Sequence, residues 1–115
     1  HASFLARNAI EELKNRNIYP EIIDIRVLNP LYIKDILQSV KKTRKLVVVD
    51  SGFLSSGFSA ELVSKVVENL DTNCLTSPPI RIALPDAPAP TASILEKKYY
   101  ITNKDIVTKV SELFK

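Results

Sequence analysis

The sequence predicts an α/β domain in three layers, with a mostly parallel sheet between two layers of helices. Three observations predict it. Apolar stripes at helical spacing alternate with short β-branched runs in the order helix, strand, helix, strand, helix, strand, helix. The run Lys45-Leu46-Val47-Val48-Val49-Asp50 is continuously apolar in its middle, the pattern of a strand covered on both faces. The stretches between strands each hold a helix, which parallel crossovers require and which makes those crossovers right-handed.

The first helix is expected over residues 3–16. Leu5, Ala6, Ala9, Ile10 and Leu13 form one stripe, Arg7/Glu11 and Glu12/Arg16 are spaced four apart on the polar side, and Asn15 and Asn17 end it. After Pro20, the β-branched run Glu21-Ile22-Ile23-Asp24-Ile25-Arg26 reads as a strand. Asn29-Pro30 breaks it, with Pro30 near the first turn of a second helix that reaches about Lys42 through Ile33, Ile36, Leu37 and Val40. The strand at Lys45–Asp50 leads into a turn, Ser51 to Gly57. A third helix covers roughly 56–69, with Leu62, Val63, Val66, Val67 and Leu70 facing inward. Residues 71–79 are a loop ending in Pro78-Pro79. Ile80-Arg81-Ile82-Ala83-Leu84 is a short strand, and Pro85-Asp86-Ala87-Pro88-Ala89-Pro90 is a stiff extended segment. A turn of helix is expected near Ser93–Glu96. Thr102 and Asp105 have capping-box spacing, opening a last helix with Ile106, Val107, Val110, Leu113 and Phe114 on its apolar side.

At 115 residues the chain is one domain, able to bury a core. Its 45% hydrophobic and 25% charged residues are ordinary for a globular protein. The net charge of +3 is mild and dispersed, so neither nucleic acid nor an anionic membrane is expected as a partner. The single cysteine, Cys74, cannot form an internal disulfide, and no apolar run approaches the ~20 residues of a membrane span. A cytoplasmic protein is expected. The chain contains no methionine and opens on His1. Because it also starts with a helix and offers only three strands, the natural polypeptide is expected to continue upstream, where one more strand would complete the sheet.

The inventory of reactive groups is sparse. The only histidine is His1, which disfavours Ser-His-Asp and Cys-His sites. Cys74 has no neighbours at metal-ligand spacing, and no Walker or GxGxxG loop is present. No catalytic, cofactor-binding or metal-binding residue is therefore expected. The best candidate site for an anion or a partner is the turn carrying Asp50, Ser51, Gly52, Ser55, Ser56 and Gly57. It follows the most buried strand and opens a helix, where free N–H groups and hydroxyls can hold an anion. The simpler assignment is that Ser55 or Ser56 caps the helix while the two glycines supply turn dihedrals. The basic run Lys41-Lys42-Thr43-Arg44-Lys45 suits a helix C-terminus and lacks aromatic residues to stack bases. Tyr99-Tyr100 with Lys97-Lys98 reads equally as interface or as core. Phe53, Leu54 and Phe58 either pack under the turn or form a partner surface.

Several segments together show a resemblance. Pro20 to Leu31 is similar to the "EVIDLRTLxPLD" segment of the transketolase C-terminal domain family, and Ser39 to Asp50 to its "SVxKTxRLVVVxE". Gly57-Phe58-Ser59-Ala60-Glu61-Leu62 resembles "GxGAEI". Asp86-Ala87-Pro88-Ala89-Pro90 with Leu95, Glu96 and Tyr99 resembles the "DxPxPxxxxLExxYLP" tail of 2-oxoacid dehydrogenase β subunits. These motifs lie in order over residues 20–106, and the first helix fits the segment before them.

The resemblance implies the three-layer fold. It also implies a terminal domain of a thiamine-diphosphate-dependent enzyme of the pyruvate, branched-chain or acetoin dehydrogenase kind. Such a domain helps subunits dimerise and dock a dihydrolipoyl acyltransferase. Thiamine diphosphate and magnesium are implied for the parent enzyme, between its other domains, so the isolated domain is expected to be inactive. Its partners would be the parent's remaining domains or subunits, with a homo-oligomer expected. The family's "DVTLIAYG"-like strand before the first helix has no counterpart here. There are departures: Asp50-Ser51-Gly52 stands where the family has "EEG", Ser59 replaces the second glycine of "GxGAE", and Tyr100-Ile101-Thr102 replaces "LP". Related domains that meet coenzyme A keep ligand binding at residues 51–57 open as the alternative.

Overall fold

Val47, Val48 and Val49 alternate across a pleat, so a strand through them needs apolar cover on both sides. In the computed structural model, which describes residues 1–115, it has that cover. β1 (Val47–Phe53) pairs in parallel with β2 (Ile80–Leu84), with Val47 opposite Ile80, Val49 opposite Ile82, and a register irregularity before Phe53 meets Leu84. On one face Val47, Val49, Ile80 and Ile82 meet Ala9 and Leu13 of α1 (Ala2–Asn15) and Ile106 and Val107 of α5 (Asn103–Glu112). On the other face Val48 packs with Ile36 and Val40 of α2 (Lys34–Thr43) and Leu62 and Val66 of α3 (Phe58–Glu68). The result is helices, sheet, helices, as the sequence predicts.

Local chemistry sets the helix boundaries. Asn17 ends α1 and Arg44 ends α2 in the left-handed region, both at φ 61°. The Arg44 N–H donates to the Val40 carbonyl at 2.7 Å, satisfying a carbonyl the helix end would otherwise leave open. Thr102 and Asp105 form the expected capping box on α5: the Asp105 N–H donates to Thr102 Oγ1 at 3.3 Å and the Thr102 N–H to Asp105 Oδ2 at 2.8 Å. The turn of helix expected near Ser93–Glu96 extends to Tyr99 as α4 (Ser93–Tyr99), which buries no residue.

Pro30 lies in a bend just ahead of α2, which begins at Lys34. One expected strand is missing: residues 21–26 do not form a strand, so the sheet has two strands rather than three. No backbone–backbone hydrogen bond involves residues 19–32. β-branched composition favours an extended chain, but a strand exists only when a neighbour supplies the ladder. This segment is held by side chains instead: Ser3 Oγ donates to Asp24 at 2.6 Å, and Ser39 Oγ (2.6 Å) and Lys42 Nζ donate to Glu21.

Burial is thin. Only 12 of 115 residues are buried, and the accessible surface is 7853 Å². A folded monomer of 12.9 kDa exposes about 6,300 Å². The surplus of about 1,500 Å² is therefore comparable to what one or two standard interfaces take from one partner. Much of it is apolar: Tyr19, Ile23, Val27, Leu28 and Tyr32 along the unpaired segment, and Ile94 and Leu95 on α4, are all exposed.

Candidate functional site

The turn between β1 and α3 forms around one carboxylate. Asp50 Oδ1 accepts from the Gly52 N–H at 2.9 Å, and Oδ2 accepts from the Ser59 N–H at 3.0 Å. Ser59 is the second residue of α3, whose N-cap Gly57 has no side chain to offer. The carboxylate thus satisfies an open donor at the helix start and sits where the helix dipole favours negative charge. The capping expected of Ser55 or Ser56 is performed by Asp50, seven residues upstream of Gly57, which chain-local capping patterns do not reach.

The glycines also act differently from expectation. Neither has positive φ; the left-handed residue in the turn is Ser56, at φ 54°. Gly57 is required by close approach instead. A Cβ there would stand 2.0 Å from the Phe53 carbonyl oxygen, whereas one at Gly52 would meet only the Asp50 carboxylate at 3.4 Å, an ordinary contact.

Ser55 faces away from the helix. Its N–H donates to Asp86 Oδ1 at 3.0 Å and its hydroxyl to Asp86 Oδ2. These two donors, hydroxyl first, hold the Asp86 carboxyl below the usual carboxylate range, with a further contribution from the Arg81 charge. The Arg81 guanidinium donates to the Leu54 carbonyl at 2.7 Å, and the Leu54 N–H to the Leu84 carbonyl at 2.9 Å. Tyr99 Oη donates to the Ala87 carbonyl at 2.8 Å and stacks edge-on against Tyr100 at 5.0 Å. Two adjacent residues near the start of the proline segment are therefore bound, Asp86 to the turn and Ala87 to α4.

The six candidates thus separate. Asp50, Gly52 and Gly57 converge on the start of α3, Ser55 joins Asp86, Ser56 carries the strained backbone, and Ser51 lines an apolar cavity of about 180 Å³ with Leu5, Val49, Leu84 and Ile101. Asp86 and Arg81 also bond to the turn, and the one signal for this in the sequence is an acidic residue within a run of prolines. Of the three large apolar groups at the turn, Phe58 packs inward against the α2/α3 cluster, while Phe53 is 50% exposed and Leu54 36%.

Three of the four cations in the basic run are committed internally. Lys42 pairs with Glu21, and Arg44 donates to the carbonyls of Asn73 at 2.7 Å and Cys74 at 3.0 Å. Lys45 Nζ donates to Thr76 at 2.8 Å and lies 5.2 Å from the centre of the Phe114 ring. No group of three or more His, Cys, Asp and Glu is arranged to hold a metal, and no helix is long and apolar enough to cross a membrane.

Comparison with known proteins agrees with this architecture. The sequence pattern of the family described as "Transketolase, C-terminal domain" matches residues 2–106. The chain is 35% identical over 109 residues to the pyruvate dehydrogenase E1 component subunit beta of Rickettsia felis, covering 95% of this chain and 33% of that protein. It is 38% identical over 105 residues to the subunit of the same name from Cyanidium caldarium, covering 91% of this chain and 32% of that protein. It is 34% identical over 100 residues to the mitochondrial subunit from Bos taurus, covering 87% and 28%. The chain spans about a third of the length of the curated relatives it matches. The fold and the extent of these matches make it a member of the transketolase C-terminal domain family.

Proposed function

We propose that the chain is the subunit-association and partner-docking domain of a thiamine-diphosphate-dependent 2-oxoacid dehydrogenase of the pyruvate dehydrogenase β-subunit type, carrying no catalytic group of its own. The observation that carries this reading is the uncovered apolar surface. A family member that exposes Tyr19, Ile23, Val27, Leu28, Tyr32, Ile94 and Leu95 presents the material of an interface. In this reading the open edge of β1 and the unpaired residues 21–26 take up a further strand from the parent polypeptide. Contacts to other subunits, a second β subunit and an acyltransferase among them, cover the rest.

Thiamine diphosphate and magnesium do not fit the residues of the candidate turn or of the basic run. A diphosphate needs a helix start or a cationic cradle, but the start of α3 is taken by the Asp50 carboxylate, and Arg44, Lys42 and Lys45 are turned to internal partners. The cofactor therefore belongs, in this proposal, to other parts of the enzyme. The same occupied helix start weighs against an anion or coenzyme at residues 51–57.

Light scattering on a size-exclusion column, over a range of concentrations, tests the reading. A mass that rises with concentration towards a dimer is the expected result. A monomer at every concentration that also fails to bind the remaining two thirds of a β subunit would refute it.

A further inference from the structure

Residues 19–32 share no backbone–backbone hydrogen bond, yet the side chains tied down along them alternate as those of a strand do. Glu21 and Ile25 turn to α2: Ser39 and Lys42 donate to the first, and the second packs against the cluster of Ile36 and Val40. Asp24 turns the other way, to Ser3 of α1. This two-residue period is that of an extended chain lying between the two helix layers with its backbone edges open. Its sequence is self-complementary. Counted outward from Ile25, the anion Asp24 matches the cation Arg26, Ile23 matches Val27, Ile22 matches Leu28, and Pro20 matches Pro30. In an antiparallel pair of identical strands centred on Ile25, each of these residues stands opposite its match and on the same face. The prolines, which lack an N–H, end the ladder at the same distance on both sides. Ile22, Ile23, Val27 and Leu28 are all exposed, and no lysine, proline or glycine blunts the edge between residues 21 and 29. Arg26 is free to reach across. Its side chain is 81% exposed, and its Nε lies 3.6 Å from Asp24 of its own chain, too far for a hydrogen bond.

We propose that residues 22–28 form an antiparallel ladder with the same residues of a second copy of the chain, with the two-fold axis between the two Ile25 residues. The inference rests on the subunit-association reading and names the residues that meet. Two Asp24–Arg26 pairs flank the axis, with Ile23–Val27 and Ile22–Leu28 pairs beyond them. A palindromic order of charge and size favours a copy of the segment over a strand of other sequence. A strand has two edges, so this pairing leaves one for a strand of the parent polypeptide. The surface is sufficient: the surplus of about 1,500 Å² exceeds the ~800 Å² that each partner gives to a standard interface. The contact is also closed, since both copies use the same edge and neither presents it to a third.

The test is a charge exchange in the 115-residue chain, read as the dimer dissociation constant by sedimentation equilibrium. Asp24→Arg sets arginine against arginine across the axis, and Arg26→Asp sets aspartate against aspartate. Each variant alone should dimerise on the order of tenfold more weakly than the parent, from about two- to fivefold for each of the two pairs. An equimolar mixture of the two variants opposes unlike charges again and should recover to within about threefold of the parent. Because Asp24→Arg also loses the bond from Ser3, the parent chain supplies a second measurement. In a mixture of isotope-labelled and unlabelled parent chains, intermolecular NOEs are expected between Ile23 and Val27 and between the two Ile25 residues. The proposal is overturned if the parent stays monomeric, if the variants dimerise as tightly as the parent, if mixing them restores nothing, or if those NOEs are missing. A dimer that ignores the charge exchange leaves the association reading standing, as does a monomer that binds the rest of a β subunit, so the two failures are distinguishable.

Discussion

Replacing Gly57 by alanine tests the account of the turn. The added Cβ would lie 2.0 Å from the Phe53 carbonyl oxygen and 3.1 Å from its carbon, both backbone atoms that cannot rotate away. Real Cβ contacts do not fall below 3.0 Å, so the chain at Phe53–Gly57 must open by about an ångström. Phe53 is the last residue of β1, and the next residue, Leu54, holds the Leu84 carbonyl at 2.9 Å. Opening the turn therefore strains that bond and withdraws the Ser59 N–H from Asp50. Strain of this kind costs about 1–3 kcal/mol, and a weakened helix cap about 1 kcal/mol more. The sum, about 2–4 kcal/mol, is a large part of the ~5–15 kcal/mol that holds a domain together. At roughly 4 °C per kcal/mol for a domain of this size, Tm should fall by about 8–16 °C. Thermal and urea unfolding followed by circular dichroism measure it. Gly52→Ala is the control: its Cβ makes an ordinary contact, so its stability should stay within about 0.5 kcal/mol of the parent. A Gly57→Ala chain as stable as Gly52→Ala would refute the close-approach argument.

Asp50→Ala should destabilise the chain by about 1–2 kcal/mol, since the amides of Gly52 and Ser59 lose their acceptor together; urea midpoints read this directly, and an unchanged midpoint would mean that another group caps α3. The acid limb of stability has a defined direction. Hydrogen bonds from Ser55 to Asp86, from Lys42 and then Ser39 to Glu21, and from Ser3 to Asp24 hold these three carboxyls below their usual range when folded. The unfolded chain therefore takes up protons first as pH falls. Their contribution is complete above the ordinary carboxylate value of about 4 and fades as pH drops through the lower folded values. Ser55→Ala should raise the titration midpoint of Asp86 alone, as followed by carboxyl carbon NMR; an unmoved midpoint would show that Ser55 does not hold it.

Helix periodicity carried most of the architecture. Leu5, Ala9 and Leu13 form a stripe that has one use, and Ile106 and Val107 another, and both meet the sheet on the same face. The Thr102/Asp105 spacing specified the start of α5 because a capping box closes within four residues. The candidate turn was legible as a location but not as a device. Nothing local distinguishes a glycine needed for positive φ from one needed for close approach, and the identity of Gly57 depends on where the Phe53 carbonyl comes to lie.

By itself, the sequence determined the helices, the buried valine strand and the family, because each is set by residue type and short spacing. Tertiary structure alone decided that residues 21–26 stay unpaired, that Asp50 rather than a serine caps α3, and that Ser55 ties Asp86 to the turn. Each of these turns on a partner far along the chain or outside it. A ladder needs a neighbouring strand, a cap needs a carboxylate brought within 3.0 Å, and neither is encoded in the few residues around the group that receives it.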